Sequence, residues 1–189
     1  AANLYYPNTL KNSINAKGNA VYKLDQMAPL NGIEHGDAAH SAIGDVIATV
    51  GVAKLIAKKA PNVWKASLLT LDKNKSLEII KNEVYFCTNE YFYGKSRPYV
   101  QAFVCQHPQY QWPLCFDLKH DPNIYLKMNV KELTAAMKKN PKFLRTVRHN
   151  KHPIIMNPSY GNEFEEYKII GSAELAKRAK LIKNNKQFA

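Results

Sequence analysis

The sequence has no long hydrophobic run and little cysteine, and both shortages narrow the class of protein. No apolar stretch approaches the roughly 18 residues of a membrane-spanning helix, so we expect no membrane span. The opening AANLYYPNTLKNS has neither the basic start nor the apolar run of a secretory signal. The three cysteines form no CxxC pair. An odd count without such pairs favours a cytoplasmic protein with reduced thiols.

The sequence also has no initiator Met, which predicts a mature piece or an excerpt of a longer protein. Its 189 residues, 46% of them hydrophobic, suffice for one ordinary domain or two small ones.

Acidic residues are scarce beside basic ones, with 15 Asp and Glu against 27 Lys and Arg and a formal net charge of +12. A surplus of this size favours a polyanionic partner, most simply nucleic acid. A solvated, lysine-rich surface is the alternative interpretation. Acidic membrane lipid fits less well, because no long basic amphipathic helix carries bulky apolar anchors.

Three zones follow one another along the chain, and the first, residues 1–60, is predicted to be helical. After an irregular opening, the pattern indicates a short helix over residues 21–27 that ends near Pro29. A longer helix is predicted over residues 38–59, with Asp37 as its N-cap. One apolar stripe is expected along this helix, formed by Ile43, Ile47, Val50 and Ile56 with Ala39 and Ala53.

The second zone, residues 61–160, is rich in β-branched and aromatic runs. It opens with a helical stretch around residues 64–71, and a later helix is predicted after Asn129, which forms a capping pair with Glu132. The expected strands cover residues 84–88, 99–105, 114–118, 143–149 and 153–156. These short strands predict a small β-barrel or open β-roll, and an α+β fold class for the whole chain.

The third zone, residues 161–189, contains a helical pattern with Ser172 as a candidate cap. Its apolar stripe is thin, and is formed by Leu175, Ala179 and Ile182. Such a segment is too short to fold alone, so we expect it to belong to a larger element.

The strongest chemical signal is the pair His40 and Asp45, within NGIEHGDAAHSAIGDVIAT at the start of the long helix. A carboxylate can bind a divalent cation, and a nearby imidazole can accept a proton from an attacking water. The pair therefore suits metal-assisted hydrolysis. The alternative is an ordinary cap-region histidine and a polar helix position, because isolated motif matches are often accidental.

The stretch KLDQMAPLNGIEHGDAAHSAIGDVIATVGVAKLI resembles the last motif of the DEDDh exonuclease superfamily, and more narrowly that of bacterial exodeoxyribonuclease I. The matching positions are Lys23-Leu24, the turn over residues 31–35, His40, Asp45 and Ala48-Thr49. The similarity continues more weakly through VQAFVCQHPQYQWPLCFDL to HNKHPIIMNPSYG, and so covers roughly residues 20–161.

The resemblance implies a 3′-to-5′ exonuclease that degrades single-stranded DNA with two divalent metals, normally Mg²⁺. It implies that His40 is the general base, Asp45 is a metal ligand and Lys23 is a basic DNA contact. Residues 1–60 would end an RNase H-like exonuclease domain, residues 61–160 would be SH3-like, and residues 161–189 would begin a helical domain. The implied partners are single-stranded DNA, the remainder of the exonuclease polypeptide and single-strand DNA-binding protein.

One departure from this family concerns the carboxylates. The family uses four, and its first motif is an Asp-x-Glu, which occurs nowhere in the 189 residues. Because Mg²⁺ needs several oxygen ligands, this chain by itself is expected to be inactive. A non-catalytic DNA-binding module is therefore the alternative function.

Aromatic and basic residues interleave in the second zone, as they do in sites for single-stranded nucleic acid. The rings are Tyr85, Tyr91, Phe92, Tyr93, Tyr99, Phe103, Tyr110 and Trp112. About half should face a core, because side chains alternate along a strand. The candidate contacts are Tyr91, Tyr93, Lys95 and Arg97, which flank a glycine-containing turn. A later basic run is equally compatible with phosphate binding and with a solvated face; it consists of Lys138, Lys139, Lys142, Arg145, Arg148 and Lys151.

A zinc site is a weaker interpretation. Cys87, Cys105, His107 and Cys115 offer four ligands, but their spacing fits no usual zinc pattern. Cys105 and Cys115 lie in apolar runs that are typical of buried thiols.

Overall fold

The computed structural model describes residues 1–33 and 41–185. The chain divides into two compact units. The first unit is Ala1–Ala66 with Glu90–Arg97, and the second unit is Ser67–Asn89 with Pro98–Ala189. The division into residues 1–60, 61–160 and 161–189 stays a prediction. None of the described helices has both the length and the hydropathy of a membrane span.

The helices of the first unit differ in their ends from those expected. They are α1 (Ala2–Tyr5), α2 (Leu24–Leu30), α3 (Ala42–Lys59) and the start of α4 (Pro61–Leu69). Pro29 lies inside α2, which ends one residue later at Leu30 and so stops near Pro29, as predicted. The N-cap of α3 is Ser41, whose Oγ accepts a hydrogen bond from the Gly44 N–H at 3.1 Å. The prediction of Asp37 as this cap is wrong; Asp37 itself lies outside the described residues.

The apolar stripe of α3 exists, but most of it faces outward. Ile43, Ile47 and Val50 are 70%, 45% and 45% exposed, and the buried positions of α3 are Gly44, Ala48 and Val52. These small residues allow close packing. Val52 joins a core with Leu10 and Met27, against which Leu24, Ile33, Leu55 and Ile56 pack. The expected stripe therefore has the right period, but Ile43, Ile47 and Val50 do not form the core face.

Ile33 approaches α3 at a glycine. A Cβ built on Gly51 would lie 2.5 Å from the Ile33 Cγ2 atom, which is closer than real side chains come. The lack of a side chain at Gly51 thus lets Ile33 pack directly on the helix that carries Asp45.

The second unit contains most of a five-stranded antiparallel sheet. Its strands are β1 (Phe86–Phe92), β2 (Lys95–Gln106), β3 (Pro113–Asp117), β4 (Leu144–Thr146) and β5 (Ile155–Met156), in the order β4-β3-β2-β1-β5. All five expected strands are present, with shifted ends, and the α+β class is confirmed. The description as SH3-like stays a prediction.

Helix α5 (Lys73–Asn82) precedes the sheet and was not expected from the sequence. Asp72 caps it by accepting a hydrogen bond from the Asn74 N–H at 2.7 Å. Its Ile80 joins the core of the unit with Phe86, Cys115, Val147 and Ile155.

The remaining helices are α6 (Pro122–Tyr125), α7 (Val130–Lys138), α8 (Glu165–Lys168) and α9 (Ser172–Asn184). The capping pair of α7 is confirmed, because Asn129 and Glu132 bond each other's backbone N–H groups at 3.0 and 2.9 Å. Ser172 is not the cap of α9; Gly171 holds that position with a φ of 80°. Leu175, Ala179 and Ile182 are the buried residues of α9, as the stripe predicted.

Candidate functional site

Asp45 occupies the first turn of α3, with an exposed side chain. Its backbone N–H donates to the Ser41 carbonyl at 3.0 Å, and its own carbonyl accepts from the Thr49 hydroxyl at 2.7 Å. The backbone is therefore fixed while the carboxylate stays accessible. The positive end of the helix dipole lies at this turn and favours a negative side chain there.

His40, the predicted general base, lies outside the described residues, as does the glutamate of the NGIEH turn. Its role therefore stays a prediction. Ser41, the adjacent described residue, starts α3 in an extended conformation with φ −93° and ψ 155°.

Asp45 alone does not make a metal site. Within residues 1–33 and 41–185, no group of three or more His, Cys, Asp or Glu side chains could hold a metal ion. A magnesium ion needs several oxygen ligands, and two-metal chemistry needs a shared set of carboxylates. The described residues do not fit a complete two-metal centre, and at most contribute one ligand to it.

Lys23 immediately precedes α2, where its backbone acts as the N-cap and its side chain is exposed. Its carbonyl accepts hydrogen bonds from the N–H groups of Gln26 and Met27, at 3.2 and 2.8 Å. The ammonium group takes no part in this cap, because it has only hydrogen-bond donors.

The predicted aromatic contacts lie at the tip of the hairpin formed by β1 and β2. A two-residue turn joins these strands, with positive φ values of 52° at Tyr93 and 74° at Gly94. Positive φ at both positions defines a tight hairpin turn whose twist matches the strands. Tyr93 is 90% exposed at the tip.

This turn separates the predicted contacts onto two faces. A two-residue loop places Phe92 opposite Lys95, so Phe92, Lys95 and Arg97 share one face and Tyr91 lies on the other. The Arg97 guanidinium lies 5.1 Å from the centre of the Phe92 ring, and the Tyr93 ring meets Phe92 edge-on at 5.8 Å. The structure thus groups Tyr93 and Arg97 around the Phe92 ring, and Lys95 lies on the same face of the hairpin as Phe92.

Tyr91 has a different environment within the first unit. Its hydroxyl donates to the Ala20 carbonyl at 3.2 Å, and its ring meets Tyr22 edge-on at 5.5 Å. Burial raises the pKa of Tyr22, with a smaller contribution from Tyr91. Tyr91 is 51% exposed, so it both packs on the first unit and offers ring surface.

The basic run over residues 138–151 is divided among different environments. The Arg145 guanidinium lies 3.6 Å from the centre of the buried Tyr99 ring, whereas Arg148 lies 5.0 Å from the Trp112 ring. Lys142 donates to the Met137 carbonyl at 2.6 Å. Phosphate binding by the basic run and a solvated face both stay predictions.

A buried acid that sequence reasoning missed lies in β3. Asp117 is fully buried, accepts a hydrogen bond from the Tyr167 hydroxyl at 2.8 Å and pairs with Lys119 at 3.6 Å. Burial raises the pKa of this carboxyl, against the opposing effect of Lys119. Only the apolar surroundings in CFDLK hinted at its position. Its partners fix it as a structural group that joins β3 to α8.

Comparison with solved structures finds the same fold in exonuclease I. The structure of E. coli exonuclease I in complex with a dA16 oligonucleotide matches 100% of this chain and 43% of that chain, with a TM-score of 0.69 at 20% identity. The moderately thermophilic exonuclease I from Methylocaldum szegediense matches 97% of this chain and 42% of its own length, with a TM-score of 0.69 at 21% identity. This chain has the fold of part of exonuclease I.

A third structure, of SSB/exonuclease I in complex with the inhibitor CFAM, matches 99% of this chain and 42% of that chain, with a TM-score of 0.67 at 20% identity. This chain therefore spans less than half the length of the exonuclease I structures that it matches. No family model matches the sequence. No curated protein matches it either.

Proposed function

We propose that this chain is part of a 3′-to-5′ exodeoxyribonuclease that degrades single-stranded DNA to mononucleotides. The observation that carries the proposal is the match of the whole chain to exonuclease I, together with an exposed Asp45 at the family's motif position. The net charge of +12 suits a DNA substrate. An enzyme of this kind would act in the cytoplasm, where its three cysteines would stay reduced.

In this proposal Asp45 supplies one carboxylate to a two-metal magnesium site and His40 removes the proton from the attacking water. When bound, such metals polarise the scissile phosphate and stabilise its developing charge. Asp45 suits the role because its backbone is held on both sides while its carboxylate is exposed. The other carboxylates would come from the remainder of the exonuclease polypeptide.

The outward face of α3 supports the proposal that the remainder of the exonuclease polypeptide packs on this chain. This face is apolar and 45–70% exposed, and it consists of Ile43, Val46, Ile47 and Val50. Their spacings of three, one and three residues place them on one side of the helix. A contiguous apolar surface of this kind favours burial against another element. Asp45 lies on a different face, so the remaining part of the nuclease fold can cover the stripe and leave the carboxylate open.

The hairpin tip is the proposed contact for DNA within the first unit. Tyr93, Lys95 and Arg97 combine an exposed ring with two cations, which suits bases and phosphates of a single strand. Lys23 is a further candidate because its side chain is exposed beside α2. Single-strand DNA-binding protein is a proposed protein partner, by analogy with the SSB/exonuclease I structure.

A non-catalytic single-stranded DNA-binding module is the second candidate. The observation that favours it is the lack of an Asp-x-Glu in the sequence, together with the lack of a metal-binding cluster among the described residues, where Asp45 is the one acid of the motif. An in-frame Asp-x-Glu codon pattern upstream of Ala1 would favour the enzyme over the module.

The discriminating experiment incubates the full-length protein that contains these residues with Mg²⁺ and 3′-labelled single-stranded DNA. Release of mononucleotides that His40→Ala abolishes supports the nuclease. Binding without release supports the module. Neither binding nor cleavage at low salt contradicts both proposals.

A further inference from the structure

The loop between β2 and β3, residues 107–112, is closed by its own hydrogen bonds. The His107 N–H donates to the Trp112 carbonyl and the Gln111 N–H donates to the His107 carbonyl, both at 2.8 Å. The Gln106 side chain donates to the Gln111 carbonyl at 2.9 Å. A loop held at both ends in this way presents its side chains in one arrangement.

Three rings of this loop, His107, Tyr110 and Trp112, form an aromatic cluster. The Tyr110 and Trp112 rings stack at 5.0 Å between centres with an interplanar angle of 21°, and His107 lies 4.9 Å from Tyr110 on a tilt of 37°. The imidazole is oriented because its Nδ1 accepts hydrogen bonds from the N–H groups of Gln109 and Tyr110, at 3.2 and 3.3 Å. The Arg148 guanidinium lies beside the aromatic cluster, 5.0 Å from the centre of the Trp112 ring.

Part of this aromatic cluster is exposed, whereas Phe116 and Phe143 of the second unit are 0% and 1% exposed and so serve the core. Tyr110 is 53% exposed and Arg148 is exposed as well, while His107 and Trp112 are half-buried. The exposed part of Tyr110 contributes little to folding, because it keeps its contact with water.

The surface around the aromatic cluster is basic. The short 3-10 helix His149–Lys151 follows Arg148 and packs against α5, which carries Lys73 and Lys81. Burial lowers the pKa of His149, and these two lysines lower it further. Lys81 also donates to the Gln106 side chain at 2.7 Å, at the base of the loop.

We propose that Tyr110, Trp112 and Arg148 form a second binding site for single-stranded DNA, apart from Asp45 and from the hairpin tip. A base would stack on the exposed part of Tyr110, and the adjoining phosphates would bind Arg148 and the lysines of α5. Arginine suits this position because its planar guanidinium can stack on a ring and still donate to a phosphate. Aromatic rings beside cations bind single strands with little regard for sequence. The inference rests on the proposed function only for its choice of ligand.

The first experiment measures binding of a labelled oligodeoxythymidine at low salt without Mg²⁺, by fluorescence anisotropy. Tyr110→Ala is expected to weaken binding by about 5- to 100-fold, the usual range for one stacked base. Tyr110→Phe is the matched control and should stay within about twofold, because it keeps the ring. Equal urea midpoints for the three proteins show that folding is unchanged.

The second experiment uses the tryptophan itself. Trp64 and Trp112 are the two tryptophans of the sequence, so Trp64→Phe leaves Trp112 as the sole reporter. The oligodeoxythymidine is expected to quench the emission of this variant, and an abasic oligomer of equal length should quench it far less. Phosphate contact alone would give equal quenching with both oligomers.

Wild-type affinity of Tyr110→Ala, or equal quenching by the abasic oligomer, would overturn this inference and leave single-stranded DNA as the ligand elsewhere on the chain. Absence of any binding by the wild-type protein would overturn it together with DNA as the ligand of the proposed function.

Discussion

Two aspartates of this molecule, Asp45 on α3 and Asp117 on β3, differ in burial and in the partners of their carboxylates. Asp117 is fully buried, with Tyr167 and Lys119 as its partners. Asp45 is exposed in a helical first turn, on a helix whose outward apolar face is also exposed. The buried acid is completed by residues of its own unit. The exposed acid has its backbone fixed and its carboxylate available, which is the arrangement that a metal ligand needs.

The contrast extends to the apolar neighbours of each acid. Phe116, beside Asp117, is fully buried, whereas Val46 and Ile47, beside Asp45, are 61% and 45% exposed. Burying an aromatic side chain contributes a few kcal/mol, and an exposed one contributes little. Burial of Phe116 therefore stabilises the second unit, whereas Val46 and Ile47 of α3 leave apolar surface that a further element could cover.

The largest expected effect is on the free energy of unfolding, when Phe116 beside Asp117 or Ile47 near Asp45 is replaced by alanine. Phe116→Ala should lower the free energy of unfolding by about 3–5 kcal/mol, because it leaves a cavity in a packed core. Ile47→Ala should change it by no more than about 0.5 kcal/mol. Urea unfolding of each variant chain, compared with the wild-type chain, measures both changes in the free energy of unfolding. A large loss for Ile47→Ala would mean that the outward face of α3 is already covered.

The next largest effect on the free energy of unfolding is expected for Tyr167, the hydrogen-bond partner of the buried Asp117. Tyr167→Phe removes the hydroxyl that donates to Asp117, and should lower the free energy of unfolding by about 2 kcal/mol, the cost of an unsatisfied buried group. Tyr93→Phe is the control, because its side chain is 90% exposed and should leave stability unchanged. Equal stability of the two variants would contradict a structural role for the Asp117 pair.

A smaller effect concerns pH. Since burial raises the pKa of Asp117 above its ordinary value of 3.8, the folded protein holds this proton more tightly than the unfolded chain does. The stability that Asp117 contributes should be greatest below that ordinary value, and should fall as pH rises toward the raised folded value. Asp117→Asn keeps an acceptor for Tyr167 and removes the titration. Urea unfolding should therefore show wild type losing stability relative to Asp117→Asn as pH rises from acid to neutral. A relative gain would mean that Lys119 and Tyr167 outweigh burial.

The smallest effect concerns the hairpin tip. Arg97→Ala should weaken binding of single-stranded DNA several-fold, because it removes one of the cations that would neutralise phosphates at the hairpin tip. Tyr91→Phe, on the opposite face, should leave DNA binding unchanged, because the hydroxyl that it removes donates to Ala20. Anisotropy titration at low salt compares the two. Equal losses would contradict the separation of the faces.

Local patterns in the sequence were sufficient for the elements that depend on neighbouring residues. The capping box at Asn129 and Glu132 and the five strands are of this kind. Helix α5 was missed because its sequence KNKSLEIIKN is mostly polar and its support is distant. Lys183 of α9 donates to the carbonyls of Lys81 and Glu83, about a hundred residues earlier in the chain.

The candidate site could be predicted only in part, for a similar reason. The period of the α3 stripe was visible, but which face packs depends on Gly51 and Ile33, a contact between separate elements. Likewise, the sequence suggested one group of contacts formed by Tyr91, Tyr93, Lys95 and Arg97. The two-residue turn sets the register of the strands, and this register places Tyr91 on the opposite face from Lys95 and Arg97. Asp45 was found from its motif, whereas Asp117 had no sequence signal beyond its apolar neighbours.

The most direct test of the account is the release of mononucleotides from 3′-labelled single-stranded DNA, with Mg²⁺, by the full-length protein that contains these residues. Asp45→Asn should lower the rate by about 1000-fold or more, because a catalytic metal contributes several kcal/mol to the transition state. Asp25→Asn is the matched control, since Asp25 is likewise exposed in the first turn of a helix, and should retain the wild-type rate. Equal rates for the two variants would contradict the assignment of Asp45 as a metal ligand.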